Sequence, residues 1–350
     1  MPESPSARLN SLTLAGNIPA AATLELTRRC PLSCVHCYLP ETRGRAKAGA
    51  ELSTSEWKNI VAQLAEAGAL YLVFTGGEPL LRADLPELCR FARGLTMDVR
   101  VYSTGLGLTP ALVWEFKKAG VSAFELSLYG RPATHDAITG VKGSFTRTLA
   151  AARLLKKAGL KVKLKTPLMK VNFTQAGWLR ALAAREGLEI SFDAVITAAN
   201  DGDRSALSRR LTGPRLAKAV KLLGPAVSSG PAALPAAAPS GLPFDVICGA
   251  GRNVCAVGAE GELYPCLQLQ VKLGNLARAK FAALWRSSPW LKKWRAYGLK
   301  DLKGCVGCAE LELCSRCPGV SLLETGDPLA PNNPACEMAK IRKALRGKAV

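Results

Sequence analysis

Apolar residues recur along the first 200 positions in two alternating rhythms. Thr23–Leu26, Tyr71–Phe74, Val99–Tyr102, Ala123–Leu128, Lys161–Thr166 and Glu189–Val195 are short apolar or alternating runs, and each is predicted as a strand. Helical spacing fills the gaps. Trp57, Ile60, Val61 and Leu64 share one face, with Thr54 or Ser55 expected as the cap. Leu112, Val113 and Phe116 repeat the pattern up to Gly120, and Leu149, Ala152 and Leu155 repeat it up to Gly159. Six such repeats predict an α/β fold: a parallel sheet closing partway into a (β/α)6 TIM-like barrel, with its chemistry at the C-terminal ends of the strands.

The rhythm stops near residue 199. Residues 200–212 are polar and charged, and 224–243 are rich in Pro, Ala, Gly and Ser, so 200–247 is expected to be a linker region. An N-terminal segment (1–20), a barrel core (21–199) and a small cysteine-rich domain (248–350) complete the division. That agrees with about two domains for 350 residues. Apolar residues make up 48% of the chain, enough for a sizeable core. There is no run of 18 uncharged apolar residues and no secretory signal, so a cytoplasmic protein without a membrane partner is expected.

Twelve cysteines change the picture. They sit in tight clusters, which in a reducing compartment suggests metal ligands. Cys30, Cys34 and Cys37 follow the first strand as C-x3-C-x2-C. Three soft thiolates suit iron or zinc, and His36 could be a fourth zinc ligand. Thr75-Gly76-Gly77-Glu78-Pro79 ends the second strand. Its glycines would let the backbone approach a ligand, and its carboxylate would pair with an ammonium.

Triplet and GGEP together resemble the radical S-adenosylmethionine (SAM) superfamily. The resemblance implies that Cys30, Cys34 and Cys37 hold a 4Fe–4S cluster with one iron open to SAM, whose cleavage yields the 5′-deoxyadenosyl radical. It implies that Gly76, Gly77, Glu78 and Pro79 hold the methionine amino group and that His36 lies beside the cluster and adenine. Ser127 resembles a ribose-contacting serine, and Asn172 is a further expected SAM contact. Ser103-Thr104-Gly105 departs from the Asn-Gly of relatives. His135-Asp136 and Gly140-x2-Gly143-Ser144-Phe145 resemble a stretch common after the fourth strand, and the bland expectation for His135 is a surface or capping residue.

Residues 248–350 hold eight cysteines. Cys248, Cys255, Gly261 and Cys266, then Cys305-x2-Cys308-x5-Cys314-x2-Cys317 and Cys336, resemble the SPASM extension of that superfamily. The Cys314–Cys317 spacing is one residue short of the usual pattern. By resemblance, Cys248, Cys255, Cys266 and Cys317 hold an inner auxiliary 4Fe–4S cluster, and Cys305, Cys308, Cys314 and Cys336 an outer one. Many relatives lack the equivalent of Cys255. A pair of zinc ribbons is the alternative. Cys89 is left over, read as a buried structural thiol.

The resemblance implies modification of a ribosomally made peptide or protein, by crosslinking, decarboxylation or oxidation. A small-molecule enzyme acting on a tetrapyrrole or a cofactor precursor is one alternative; a non-catalytic metal-binding or electron-transfer protein is another. An electron donor such as flavodoxin or ferredoxin is expected. The formal charge of +20 falls by about five with three clusters bound, which still suits an acidic peptide; nucleic acid is not expected. Only about 20 residues precede the first strand, so a separate small partner is expected to present a peptide's leader.

Overall fold

The computed structural model describes residues 4–41, 50–223 and 246–346. All six predicted strands form: β1 (Ala21–Glu25), β2 (Tyr71–Thr75), β3 (Asp98–Ser103), β4 (Ala123–Ser127), β5 (Lys161–Pro167) and β6 (Glu189–Asp193). They pair in parallel in chain order, and β6 does not return to β1 among the described residues, so the barrel stays open. Helix α1 (Pro5–Gly16) precedes them, and α2 (Thr54–Glu66), α3 (Leu85–Gly94), α4 (Pro110–Lys118), α5 (Pro132–Thr139), α6 (Ser144–Lys157), α7 (Ala176–Glu186) and α8 (Gly213–Leu223) follow their strands. Buried Trp57, Ile60, Val61 and Leu64 of α2 face Leu24, Leu72 and Phe74 in one core.

The cap of α2 is Ser53, neither Thr54 nor Ser55. Ser53 alone of the three has a glutamate three residues on, and Glu56 closes a reciprocal capping box with it.

The C-terminal part does not build a sheet of its own. Strand β7 (Val254–Val257) lies parallel to β1, with Cys255 opposite Ala22. Then β8 (Glu262–Tyr264) and β9 (Gly274–Asn275) continue antiparallel, making one nine-stranded sheet across the boundary drawn on composition. Four helices follow: α9 (Phe281–Ser287), α10 (Pro289–Ala296), α11 (Pro318–Thr325) and α12 (Asn333–Arg346). Helix α1, which hydrophobic spacing did not announce, packs its polar Asn10 and Thr13 against Asn253 beside β7.

The polar stretch 200–212 is not a loose connection. Ala206 and Leu211 are buried, and Arg210 Nη1 donates to Glu324 of α11 at 3.1 Å. Local charge reads as linker; burial follows from contacts made more than a hundred residues away. The expected linker at 224–243 lies outside the described residues.

Candidate functional site

Cys30, Cys34 and Cys37 occupy the loop leaving the C-terminal end of β1, as the barrel reading requires. The loop is braced on both sides. Gly77 N donates to Thr27 O and Glu78 N to Arg29 O, each at 2.8 Å. From the other side, Ser33 N donates to Thr139 O and Val35 N to Ile138 O, both at the end of α5 and both at 3.0 Å. The glycines of the GGEP turn also serve a close approach within the chain itself. A Cβ on Gly76 would lie 2.3 Å from Thr27 O, and one on Gly77 would lie 2.3 Å from Arg29 O. They admit the cysteine loop's own backbone, and Gly76, at φ +137°, also adopts a conformation side chains avoid.

Glu78 is fully buried. One oxygen accepts from Ser103 Oγ (2.7 Å) and Leu80 N (3.0 Å), the other from Thr104 N (2.7 Å) and Thr104 Oγ1. Burial raises its pKa, and these donors oppose the rise. Ser103-Thr104 thus takes up the carboxylate of the GGEP turn and ties the ends of β2 and β3 together. Pro79, also buried, starts the short turn that aims Leu80 N at Glu78.

Ser127 at the end of β4 donates to the Tyr129 hydroxyl, which donates to the Cys34 thiol. His36 meets Tyr129 edge-on at 4.8 Å, and His135 stacks on its other side at 5.3 Å. His135 is 1% exposed, which corrects the surface or capping expectation. Its Nδ1 accepts from Tyr129 N at 3.1 Å, and burial pushes its pKa down to about 4. Asp136 does the capping, accepting from Gly143 N, Phe145 N and Ser144 Oγ. Asn172 is buried, with both amide hydrogens given to Tyr129 O and Pro167 O and its oxygen accepting from Met169 N. It joins the ends of β4 and β5.

The eight C-terminal thiols fall into two groups by mutual influence. Cys266 raises Cys248 and Cys255, Cys317 raises Cys266 and Cys248 raises Cys317, while Cys305 is raised by Cys308 and Cys336, and Cys314 by Cys305 and Cys336. Local devices bring the first group together. Trp294 Nε1 and Arg295 Nε, on or beside α10, donate to Ala250 O and Gly251 O in the loop between Cys248 and Cys255. Gly319 sits against Gln268, where a Cβ would be 2.1 Å from the backbone oxygen, so Cys317 can approach the Cys266 loop. Cys89 is buried in α3, apart from these groups.

These donor sets fit iron–sulfur cores, which are cationic until the thiolates bind them. Burial pushes Cys30 and Cys34 up to about 12, and Cys248, Cys266 and Cys317 up to about 11, with neighbouring thiols adding to the rise. Such thiols ionise together only against a positive core. Arg316 lies within electrostatic reach of Cys305, Cys248, Cys314 and Cys317. Its buried Nε and Nη1 have no hydrogen-bond partner among the described residues, as suits a guanidinium facing anionic clusters. Among the described residues, no three His, Cys, Asp or Glu side chains converge as a single metal ion requires.

Sequence reasoning passed over Tyr129, Arg316 and Glu25, and it noted Ser103 without giving it a role. The clue for Glu25 was a charged residue closing an otherwise apolar strand. Its Oε1 accepts from Tyr38 at 2.5 Å, and Tyr38 directly follows Cys37. Deeper in the barrel, buried Glu125 pairs with Lys165 at 3.0 Å, and Lys165 also lies 4.6 Å from the centre of the Tyr102 ring.

The comparisons with known proteins agree with this arrangement. The radical SAM superfamily matches residues 24–175, and SPASM, an iron–sulfur cluster-binding domain, matches residues 248–318. A PqqA peptide cyclase from Streptomyces rochei is 31% identical, over 93% of this chain and 92% of its own. An AdoMet-dependent heme synthase from Methanosarcina barkeri is 29% identical, over 89% and 95%. Among solved structures, anSMEcpe with bound AdoMet superposes with a TM-score of 0.72 at 15% identity, over 93% and 96%. SuiB of Streptococcus suis bound to its precursor peptide SuiA gives 0.66 at 17%, over 94% and 79%; both likenesses speak for the fold.

Proposed function

Because the chain belongs to the radical SAM superfamily, in the subgroup that carries a SPASM domain, we propose that it modifies a side chain of a ribosomally synthesised peptide or protein after hydrogen abstraction. The observation that carries this is the braced triplet Cys30, Cys34 and Cys37, locked by Gly77 and Glu78 to the end of β2. SAM and a 4Fe–4S cluster belong to the superfamily, and auxiliary iron–sulfur clusters to the domain. We assign Cys30, Cys34 and Cys37 to the first cluster, and the two C-terminal thiol groups to two more of the 4Fe–4S type.

When bound, the first cluster and SAM supply the electron and the carbon radical that removes a hydrogen atom. The chain's own residues hold that site. Tyr129 donates to Cys34, His36 closes the side near Tyr129, and Ser103 and Thr104 fix Glu78. Asn172 acts as a positioning residue, since its amide is spent on backbone.

The heme synthase relative favours a second reading, a tetrapyrrole substrate. Its identity and coverage are comparable to those of the peptide cyclase relative, so incubation with candidate peptides and with a tetrapyrrole decides between the two.

The test uses anaerobically reconstituted protein, SAM and a strong reductant. We expect 5′-deoxyadenosine from the intact chain and none from a variant with Cys30, Cys34 and Cys37 all changed to Ala. Continued cleavage by that variant would refute the assignment.

A further inference from the structure

Helix α10 and its flanks concentrate positive charge that the SAM site does not use. Residues 286–300 hold Arg286, Lys292, Lys293, Arg295 and Lys300 and no acidic residue. Arg252, from the loop between Cys248 and Cys255, joins them. Its Nη2 donates to Arg295 O at 2.5 Å, and Arg295 Nε donates back to Gly251 O at 2.7 Å. Two guanidiniums are thus clasped side by side, and both spend their hydrogen bonds on backbone carbonyls. None of the six cations forms an ion pair among the described residues. The undescribed segments contain two acidic side chains, Glu3 and Asp245, so the excess of positive charge does not depend on where those two lie. Arg286, Lys292, Lys293 and Lys300 are exposed. The face lies away from the cysteine triplet: Arg252 precedes β7, whose Val254 sits opposite Ala21 at the start of β1, whereas the triplet follows the end of β1.

We propose that this face is an exosite for an acidic segment of the substrate, held at a distance from the residue that reacts. The inference rests on the reading that the chain acts on a peptide or protein, and adds that such a substrate carries a run of Asp or Glu outside its reacting part. Three physical points support it. Like charges clasped together repel: burial and Arg252 hold Arg295 down at about 10, and a carboxylate beside the pair offsets that repulsion. Guanidinium forks match carboxylates, and among the described residues only Nη2 of Arg252 is engaged. The exposed lysines around the pair attract an acidic chain before contact. Position sets the spacing. Strand β1 has five residues, about 16 Å at about 3.3 Å each, so at least about five extended residues separate the acidic run from the reacting one. Arg252 also lies within electrostatic reach of Cys248, so the decisive variants are those of the exposed lysines.

The probe is a hexaglutamate peptide carrying an uncharged fluorophore, compared with hexaglutamine, hexalysine and a six-nucleotide oligothymidylate. Binding to the reconstituted full chain is read by fluorescence anisotropy at low ionic strength. Hexaglutamate is expected to bind, more tightly than the oligothymidylate, and the other two peptides are not. Reversing both exposed lysines, Lys292→Glu with Lys293→Glu, should weaken hexaglutamate binding at least about tenfold, and Arg252→Gln about threefold. The control reverses two exposed lysines elsewhere, Lys157→Glu with Lys161→Glu, and should weaken it about twofold at most. Equal losses in the two double variants, no binding of hexaglutamate, or tighter binding of the oligothymidylate would overturn the proposal. Formation of 5′-deoxyadenosine by the unaltered preparation is measured alongside. Its absence would count against the enzymatic reading alone, because peptide binding is read without turnover.

Discussion

At the scale of single residues, three side chains behave differently from what their identities suggest. Glu78 spends all four acceptor directions inside the protein, so Glu78→Gln turns an amide N–H₂ toward Ser103 and Leu80 or toward Thr104. The variant should lose about 1–3 kcal/mol of stability as well as affinity for SAM; unchanged unfolding with weaker SAM binding would return Glu78 to a pure ligand role. His135 is held neutral by burial, with its folded pKa at about 4, below the ordinary value near 6.5. A histidine lowered in this way favours folding fully above about 6.5, and that contribution fades as the pH falls toward 4. Relative to His135→Gln, the wild type should lose about 3 kcal/mol across that window, measured by unfolding at several pH values. Arg316 places a positive charge between the two thiol groups. Arg316→Met keeps much of the packing and should make both auxiliary reduction potentials more negative, read by potential-controlled electron paramagnetic resonance.

At the scale of elements, the site depends on how closely turns seat against one another. The β2 turn and the cysteine loop share two backbone hydrogen bonds, donated by Gly77 and Glu78, and Gly76 and Gly77 beside them have no room for a Cβ. Gly77→Ala should therefore cost toward the upper end of the roughly 1–3 kcal/mol typical of overpacking. Iron content after reconstitution should fall by about one cluster. The same reasoning applies at α11, where Gly319→Ala would push Cys317 away from the Cys266 loop and remove iron from the auxiliary set while the Cys30 group stays loaded. Iron analysis of the two variants separates these sites.

At the scale of the whole molecule, one sheet joins the barrel to the cysteine-rich part. Strand β7 covers the edge of β1, the strand that launches the cysteine loop. A chain ending near residue 247 would expose that edge, and unpaired edges invite aggregation. Such a truncation should be insoluble; a soluble monomer that still cleaves SAM would show that the barrel stands alone. Intact protein, purified without oxygen, should carry about twelve irons per chain if all three thiol groups hold 4Fe–4S clusters. About four irons with zinc in the C-terminal part would reject the auxiliary assignment.

The sequence alone determined the repeating strands and helices, because buried strands and amphipathic helices have distinct periods that need no long-range knowledge. It also placed the cysteine triplet and GGEP at strand ends, since a short motif after a predicted strand inherits that strand's position. Tertiary structure decided what those residues touch. Gly76 and Gly77 accommodate Thr27 and Arg29, about fifty positions earlier, and Asn172 bonds across strands to Tyr129. The polar stretch before α8 packs because Glu324 reaches Arg210. Glu25 reads as an ordinary polar strand end until Tyr38, Arg28 and Tyr264 are folded around it. Each of these outcomes depends on burial and on partners distant in the chain, and local periodicity carries no information about either.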